Sequence, residues 1–288
     1  MTAATETTAQ LLIPPWFRDH CLDGKGILPA VEALEFLAEL VHRQSPELDC
    51  RRMTAARFPR FLELVPGQQS IEVLVSRFST NDGGVRAVLQ TRKQLRTMTR
   101  LNVHCEVVFG AAAAPPAPPL PSCGKPVMAI AAERIYRDLV PFGPAYRTLQ
   151  GQVDLEPISA RGLLVPPFLP GDRPDRSLLG SPFAMDGAMH LACVHGQGLV
   201  DFVPFPVGLA QRTVREPTRS GEPYQARACL RGQTREELVY DLEIVDQRQR
   251  VRETVLGLRM RDVSGGRIKP AEWINKALKK ADGGEKRG

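Results

Sequence analysis

Apolar residues recur at helical spacing over residues 29–43. Val31, Leu34, Leu37, Ala38 and Val41 form one stripe, and Phe36 and Leu40 widen it. Pro29 suits the first turn of that helix, and His42 suits its C-terminal dipole. The pattern then turns to alternation and predicts strands over 54–65, 70–78, 85–96 and 101–109. In the last of these, Leu101, Val103, Cys105, Val107 and Phe109 face one way, which leaves His104 on a solvated face with Asn102 and Glu106. Asn81-Asp82-Gly83-Gly84 marks a hairpin.

The same order returns further on. A short helix over 129–139 and strands over 146–155 and 160–165 come first. A helix over 183–194, FAMDGAMHLACV, is apolar on most faces and therefore buried all round. Strands over 207–214, 224–230, 238–245 and 251–263 follow it. Between the two parts runs GAAAAPPAPPLPSCGKP, an extended Ala/Pro-rich linker. The chain thus divides into 1–109, the linker 110–126, a second half 127–264 and a tail 265–288. Each half holds one apolar helix followed by an antiparallel meander. That repetition predicts a pseudo-duplicated α+β fold, with each antiparallel sheet curled around its own central helix.

Composition narrows the class without naming it. The 288 residues are 43% hydrophobic and 24% charged, which excludes collagen-like, wholly disordered and disulfide-dense chains. No apolar run approaches the ~20 residues of a membrane span. The polar first ten residues lack an export signal, and the six cysteines form no C-x-x-C pair. The expectation is a cytoplasmic chain with reduced thiols and no metal centre. Of the net charge of +6, half sits in residues 269–288, where six Lys/Arg meet three Asp/Glu. The rest is too dilute for a nucleic-acid footprint. The tail reads as a docked amphipathic helix over 270–280 with solvated lysines.

Three short motifs carry candidate chemistry. The first is His20-x-x-x-Gly24-x-x-x-x-Pro29, a histidine on a glycine-bearing loop just before a buried helix. An imidazole there suits proton transfer near neutral pH. The glycines allow close backbone approach of a ligand, and the helix N-terminus offers free N–H groups to a carbonyl oxygen. The second is Phe142-Gly143-Pro144-Ala145-Tyr146, a turn that suits a rigid corner between the halves or a wall of a substrate tunnel. The third is Asp186-Gly-Ala-Met-His190. Apolar neighbours predict a raised pKa for Asp186, making it a proton donor. His190, one turn on, shares its face and would hold it in position. His190 and His195 have the wrong spacing for a helical metal pair, and His195 points elsewhere.

In this order and on these elements, the motifs resemble the dehydratase domain of polyketide and fatty-acid synthases over roughly residues 16–264. The resemblance implies a double-hotdog fold with one active site between the halves. That would explain why His20 and Asp186 lie 166 residues apart. It implies a hydro-lyase in which His20 removes the α-proton of a 3-hydroxyacyl thioester and Asp186 protonates the leaving hydroxyl, giving a 2-enoyl thioester. No cofactor is implied beyond the phosphopantetheine of an acyl carrier protein that holds the substrate. The chain departs from the family pattern at Phe142, where the family has Tyr, and at Tyr146, where it has Phe. Standing alone, such a domain would meet its carrier protein or synthase subunit in trans, with the basic tail as a candidate contact. An edge strand in each half leaves a homodimer open beside a monomer. Two alternatives remain: a non-catalytic acyl-binding or synthase-scaffolding module, and a hotdog thioesterase or product-shaping domain.

Overall fold

The computed structural model describes residues 5–94, 96, 98–110, 120, 124–169 and 177–274. Most of the linker, Cys123 and the predicted tail helix beyond residue 274 lie outside the described residues. In the first half, β1 (Thr5–Leu12) and a 3-10 turn (Pro15–Asp19) lead to a small hairpin of β2 (Cys21–Leu22) and β3 (Lys25–Gly26). Helix α1 (Ala30–Gln44) follows, then β4 (Arg52–Arg57), β5 (Ser70–Ser79), β6 (Val85–Gln94) and β7 (Thr99–Phe109). The second half runs β8 (Met128–Ala131), α2 (Ala132–Asp138), a 3-10 turn (Pro144–Tyr146), β9 (Leu149–Leu155) and β10 (Ser159–Leu164). It ends with α3 (Pro182–Gln197), β11 (Phe205–Val214), β12 (Tyr224–Gln233), β13 (Glu237–Val245) and β14 (Val251–Arg261).

Both halves use one topology. The three strands β5, β6 and β7 form a meander, and β4 lies beside β7; likewise β12, β13 and β14 form a meander, and β11 lies beside β14. The two curled half-sheets then join edge to edge through antiparallel β4 and β11, with Arg212 opposite Met53 and Leu209 opposite Ala56. The result is one 12-stranded sheet with β1 and β8 at its outer edges. Helix α1 packs its stripe of Val31, Leu34, Leu37 and Val41 into the first half. Helix α3 is buried over fourteen of its sixteen residues. It sits close to its sheet because Gly187 leaves no room for a Cβ against Thr148 and Leu164. No helix among the described residues is long and apolar enough to cross a membrane.

Several predicted elements shift. Pro29 is the N-cap of α1, with φ −62° and ψ 141°, and lies outside the first turn. The strand expected over 54–65 ends at Arg57, because Pro59 cannot donate to a ladder. The chain crosses instead to the His20 loop, where Glu63 bridges Ile27 and the Leu28 amide donates to Leu62 O at 2.9 Å. The helix expected from residue 129 begins at Ala132, since 128–131 pair with β9 as strand β8. The described part of the tail, residues 265–274, packs onto the body: Ile274 is fully buried, and the Arg134 guanidinium sits over the Trp273 ring at 3.7 Å.

A buried polar cluster ties the seam together. Arg212 donates from Nε and Nη2 to Glu253 Oε2 at 3.1 and 2.8 Å, and its Nη2 also reaches Leu179 O at 3.5 Å. Nearby, Glu35 of α1 accepts the amides of Leu178 and Leu179 at 2.9 and 3.2 Å. Burial pushes the Glu35 carboxyl up to about 7.

Candidate active site

His20 closes the 3-10 turn and opens the β2–β3 hairpin. The hairpin turn has φ 50° at Asp23 and 73° at Gly24, a left-handed pair that favours Asp-Gly. No atom lies within 4 Å of where a Gly24 Cβ would stand. Gly24 therefore serves the turn through its positive φ. The Ile27 amide donates to His20 O at 2.9 Å, and the His20 Nδ1–H faces Ile27 O at 3.3 Å. Because a carbonyl only accepts, Nδ1 carries the proton and the Nε2 lone pair is turned inward. The ring packs against Phe142 at 4.3 Å and the edge of Tyr146 at 5.1 Å. Burial lowers the His20 pKa, against an opposing pull from Asp186, so the neutral base persists into mildly acidic solution.

Asp186 projects from the first turns of α3. Its Oδ1 stands 3.8 Å from His20 Nε2, too far for a hydrogen bond. Its Oδ2 stands 2.8 Å from His190 Nε2, an ion-pair approach without hydrogen-bond alignment. The expected raised pKa is corrected here. Burial does push Asp186 up, but the charges of His190 and His20 outweigh it and hold the carboxyl below its ordinary value. The apolar neighbours are present as expected; two imidazoles within 4 Å decide the sign. His190 Nδ1 faces Tyr136 Oη at 3.4 Å, and that hydroxyl accepts the Leu149 amide at 2.8 Å.

The Phe142–Tyr146 segment forms one wall. The Phe142 ring wedges between the two imidazoles, 4.3 Å from His20 and 5.3 Å from His190. Tyr146 packs between His20 and Phe183. Asp19 holds this wall to the other half: its backbone O accepts the Gly143 amide at 2.7 Å, and its Oδ2 accepts the Ala145 amide at 2.9 Å. A Cβ on Gly143 would lie 2.5 Å from Asp19 Oδ1. Pro144 begins the 3-10 turn that fixes the corner. Two substitutions separate these glycines. Gly24→Ala is expected to cost about 1 kcal/mol of stability through its dihedral alone, with catalysis within a few-fold of the parent. Gly143→Ala, which must displace Asp19, is expected to lower catalysis far more than its melting temperature. Thermal melts and turnover on the same preparations check both.

Asp19 and Tyr136 carry no motif signal; one acts on backbone amides and the other on a ring nitrogen. Around these groups lies a cavity of about 230 Å³. It runs past Met189, Cys193 and Gln197 on α3 and reaches Arg60 and Lys269 at its exposed margins. His104 is buried, unlike the solvated position expected of it. It bonds Thr91 Oγ1 at 2.8 Å and Arg60 O at 3.1 Å, because residues 58–64 cover that face of β7. His195 points away from the site to Tyr240 Oη and Glu156 O. Among the described residues no three His, Cys, Asp or Glu side chains are placed to hold a metal, and the cysteines are free thiols.

The family model for the polyketide synthase dehydratase N-terminal domain matches residues 111–268, just over half of the chain. The chain belongs to the polyketide synthase dehydratase family. Solved dehydratase domains share its fold across both halves. A trans-AT PKS dehydratase domain from Brevibacillus brevis aligns with a TM-score of 0.71 at 16% identity, covering 91% of this chain and 94% of that one. An N-terminal dehydratase from the difficidin assembly line gives 0.72 at 12% identity, covering 96% and 97%. The dehydratase domain of the CurF module of curacin polyketide synthase gives 0.72 at 15%, covering 90% and 93%. No curated protein matches the chain. The double hotdog is therefore the architecture of this dehydratase-family chain, with an apolar helix at the centre of each half.

Proposed function

We propose that the chain dehydrates a 3-hydroxyacyl thioester held on the phosphopantetheine of an acyl carrier protein. The carrying observation is His20 Nε2 and Asp186 Oδ1, 3.8 Å apart across one buried cavity and contributed by different halves. Neither bonds the other, so both are free to face a substrate C2–C3 unit lying alongside the pair in the cavity. His20 Nε2 takes the C2 proton, the C3–O bond breaks, and the oxygen leaves on the Asp186–His190 side as water. The product is a 2-enoyl thioester. Ala30, at the first turn of α1, borders the cavity. The Ala30 amide, at the helix N-terminus, would donate to the thioester carbonyl as negative charge develops on it.

The test offers 3-hydroxyacyl pantetheine and carrier-protein thioesters of graded chain length. Enoyl absorbance and loss of one water by mass are followed together with free thiol. Enoyl formation that disappears in His20→Ala is the expected result. Full activity in both His20→Ala and Asp186→Asn would sink the assignment. Thiol release without enoyl would make the chain a thioesterase, and binding without turnover an acyl-holding module.

A further inference from the structure

We propose that the proton delivered to the departing hydroxyl is stored on His190, with Asp186 as a carboxylate bridge between two imidazoles that refills the store after each turnover. This rests on the dehydratase reading above and goes beyond it by moving the acid from Asp186 to its neighbour.

The geometry divides the carboxylate between two partners: Oδ1 faces His20 Nε2 at 3.8 Å and Oδ2 faces His190 Nε2 at 2.8 Å. The three side chains are 12%, 8% and 5% exposed, so a carboxylate anion here needs a compensating cation. Among the described residues these two histidines are its ion-pair partners. His20 cannot be the cation and also the base: its Nδ1 proton is committed to Ile27 O, and its Nε2 must stay bare to receive the C2 proton. The positive charge therefore falls to His190.

Tyr136 supplies the second, independent argument. Its hydroxyl stands 3.4 Å from His190 Nδ1 while accepting the Leu149 amide. The labile proton sits on Nε2, so Nδ1 keeps its proton in both states; the hydroxyl oxygen has two lone pairs and accepts it beside the Leu149 amide, which directs the exchange to the side of Asp186. The remaining groups facing His190 are Asp186 and Cys193 from α3, His20 from the hairpin and the Phe142 ring.

The cycle balances within the site. The C2–H bond breaks and its proton goes to His20 Nε2. The C3–O bond breaks, its electron pair leaves with oxygen, and the His190 Nε2 proton crosses Asp186 Oδ2 to make water. His20 is then cationic and His190 neutral. The proton on His20 passes to Asp186 Oδ1, the carboxyl turns over, and His190 is recharged.

The test uses the full chain in two arms. In the first, ¹⁵N-histidine NMR at pH 7, with His190 assigned through His190→Gln, should show His190 protonated on both ring nitrogens and His20 on Nδ1 alone. A singly protonated His190 overturns the proposal whether or not the enzyme turns over. In the second, His190→Gln keeps a polar side chain beside Asp186 but cannot carry a proton. Its kcat should fall about 100-fold with KM unchanged, and the alkaline limb of the pH profile should move. Tyr136→Phe should lower kcat about tenfold, the loss of one charge-assisted hydrogen bond. Parental kcat and pH profile in His190→Gln would reduce His190 to a positioning residue. A parent chain inactive on every thioester would defeat the dehydratase reading instead, and the NMR arm would still decide where the proton sits.

Discussion

Asp186→Asn is expected to lower kcat by about 10²- to 10⁴-fold, the usual span for a lost proton-transfer group. Its melting temperature is expected to fall only modestly. Asn has the shape of Asp, so Phe183, Met185 and Met189 keep their packing around α3. What disappears is the one charge lying between two imidazoles. Despite burial, His190 and His20 hold the Asp186 carboxyl below its ordinary value, so the folded chain favours the anion and the neutral isostere gives up that contribution at neutral pH. The pH profile adds a second readout with a defined sign. Burial already lowers the His20 pKa and Asp186 works against that lowering. In the parent chain, activity should fall as pH drops through a value below the ordinary 6.5 of histidine. With Asn the opposing pull is gone, so the limb of the residual activity should move lower still. Continuous enoyl measurement from pH 5 to pH 9 beside thermal melts checks both parts. An acid limb that moves upward would refute the electrostatic account of the site.

The largest effect on stability is expected at Arg212. Arg212→Ala should cost about 3–5 kcal/mol, as for breaking one side of a buried ion pair. Arg212 is 1% exposed and Glu253 is fully buried, so loss of the guanidinium strands a carboxylate whose one remaining side-chain donor is the Thr218 hydroxyl at 3.3 Å. Burial already raises the Glu253 pKa against the pull of Arg212. A raised folded pKa means the protonated form is the comfortable one, so its contribution is present at low pH and lost as pH rises. Without Arg212 that pKa rises further, and the penalty should be larger at pH 8 than at pH 5. Denaturant melts at the two pH values measure this. A loss under 1 kcal/mol at pH 8 would show that solvent or Thr218 compensates. Arg212 also holds Leu179 O, in the segment leading into α3. Some fall in catalysis is therefore expected even where the variant remains folded.

Much of this was legible from residue patterns, and the exceptions have physical causes. The all-round apolar run of α3 and the spacing of Asp186 and His190 identify a buried helix with chemistry on one face. Strand β1 escaped notice because TETTAQLL places one residue, Leu11, in the core; backbone pairing to β5 holds it. Residues 58–64 read as strand because Leu62 and Leu64 alternate inward, but they do so against the His20 loop. The sign of the Asp186 shift turns first on His190, which is visible one turn away in the sequence but reads there only as a positioning group, and His20 of the other half adds to it. Asp19 and Tyr136 stay silent for a similar reason. Each is defined by what it touches 126 or 13 residues away.

The contacts of Glu35 give the duplication a chemical consequence. Asp186, on the helix of the second half, looks into the segment that precedes the helix of the first. Glu35, on the helix of the first half, looks into the segment that precedes the helix of the second. The two carboxylates occupy corresponding places in the two halves, and their surroundings are opposite in kind. One carboxylate has a histidine and an open cavity before it. The other is stoppered by two amides and acts as a clasp. The molecule is therefore twofold in architecture but asymmetric in its carboxylates: the one on α3 faces a cavity, and the one on α1 clasps the second half to the first.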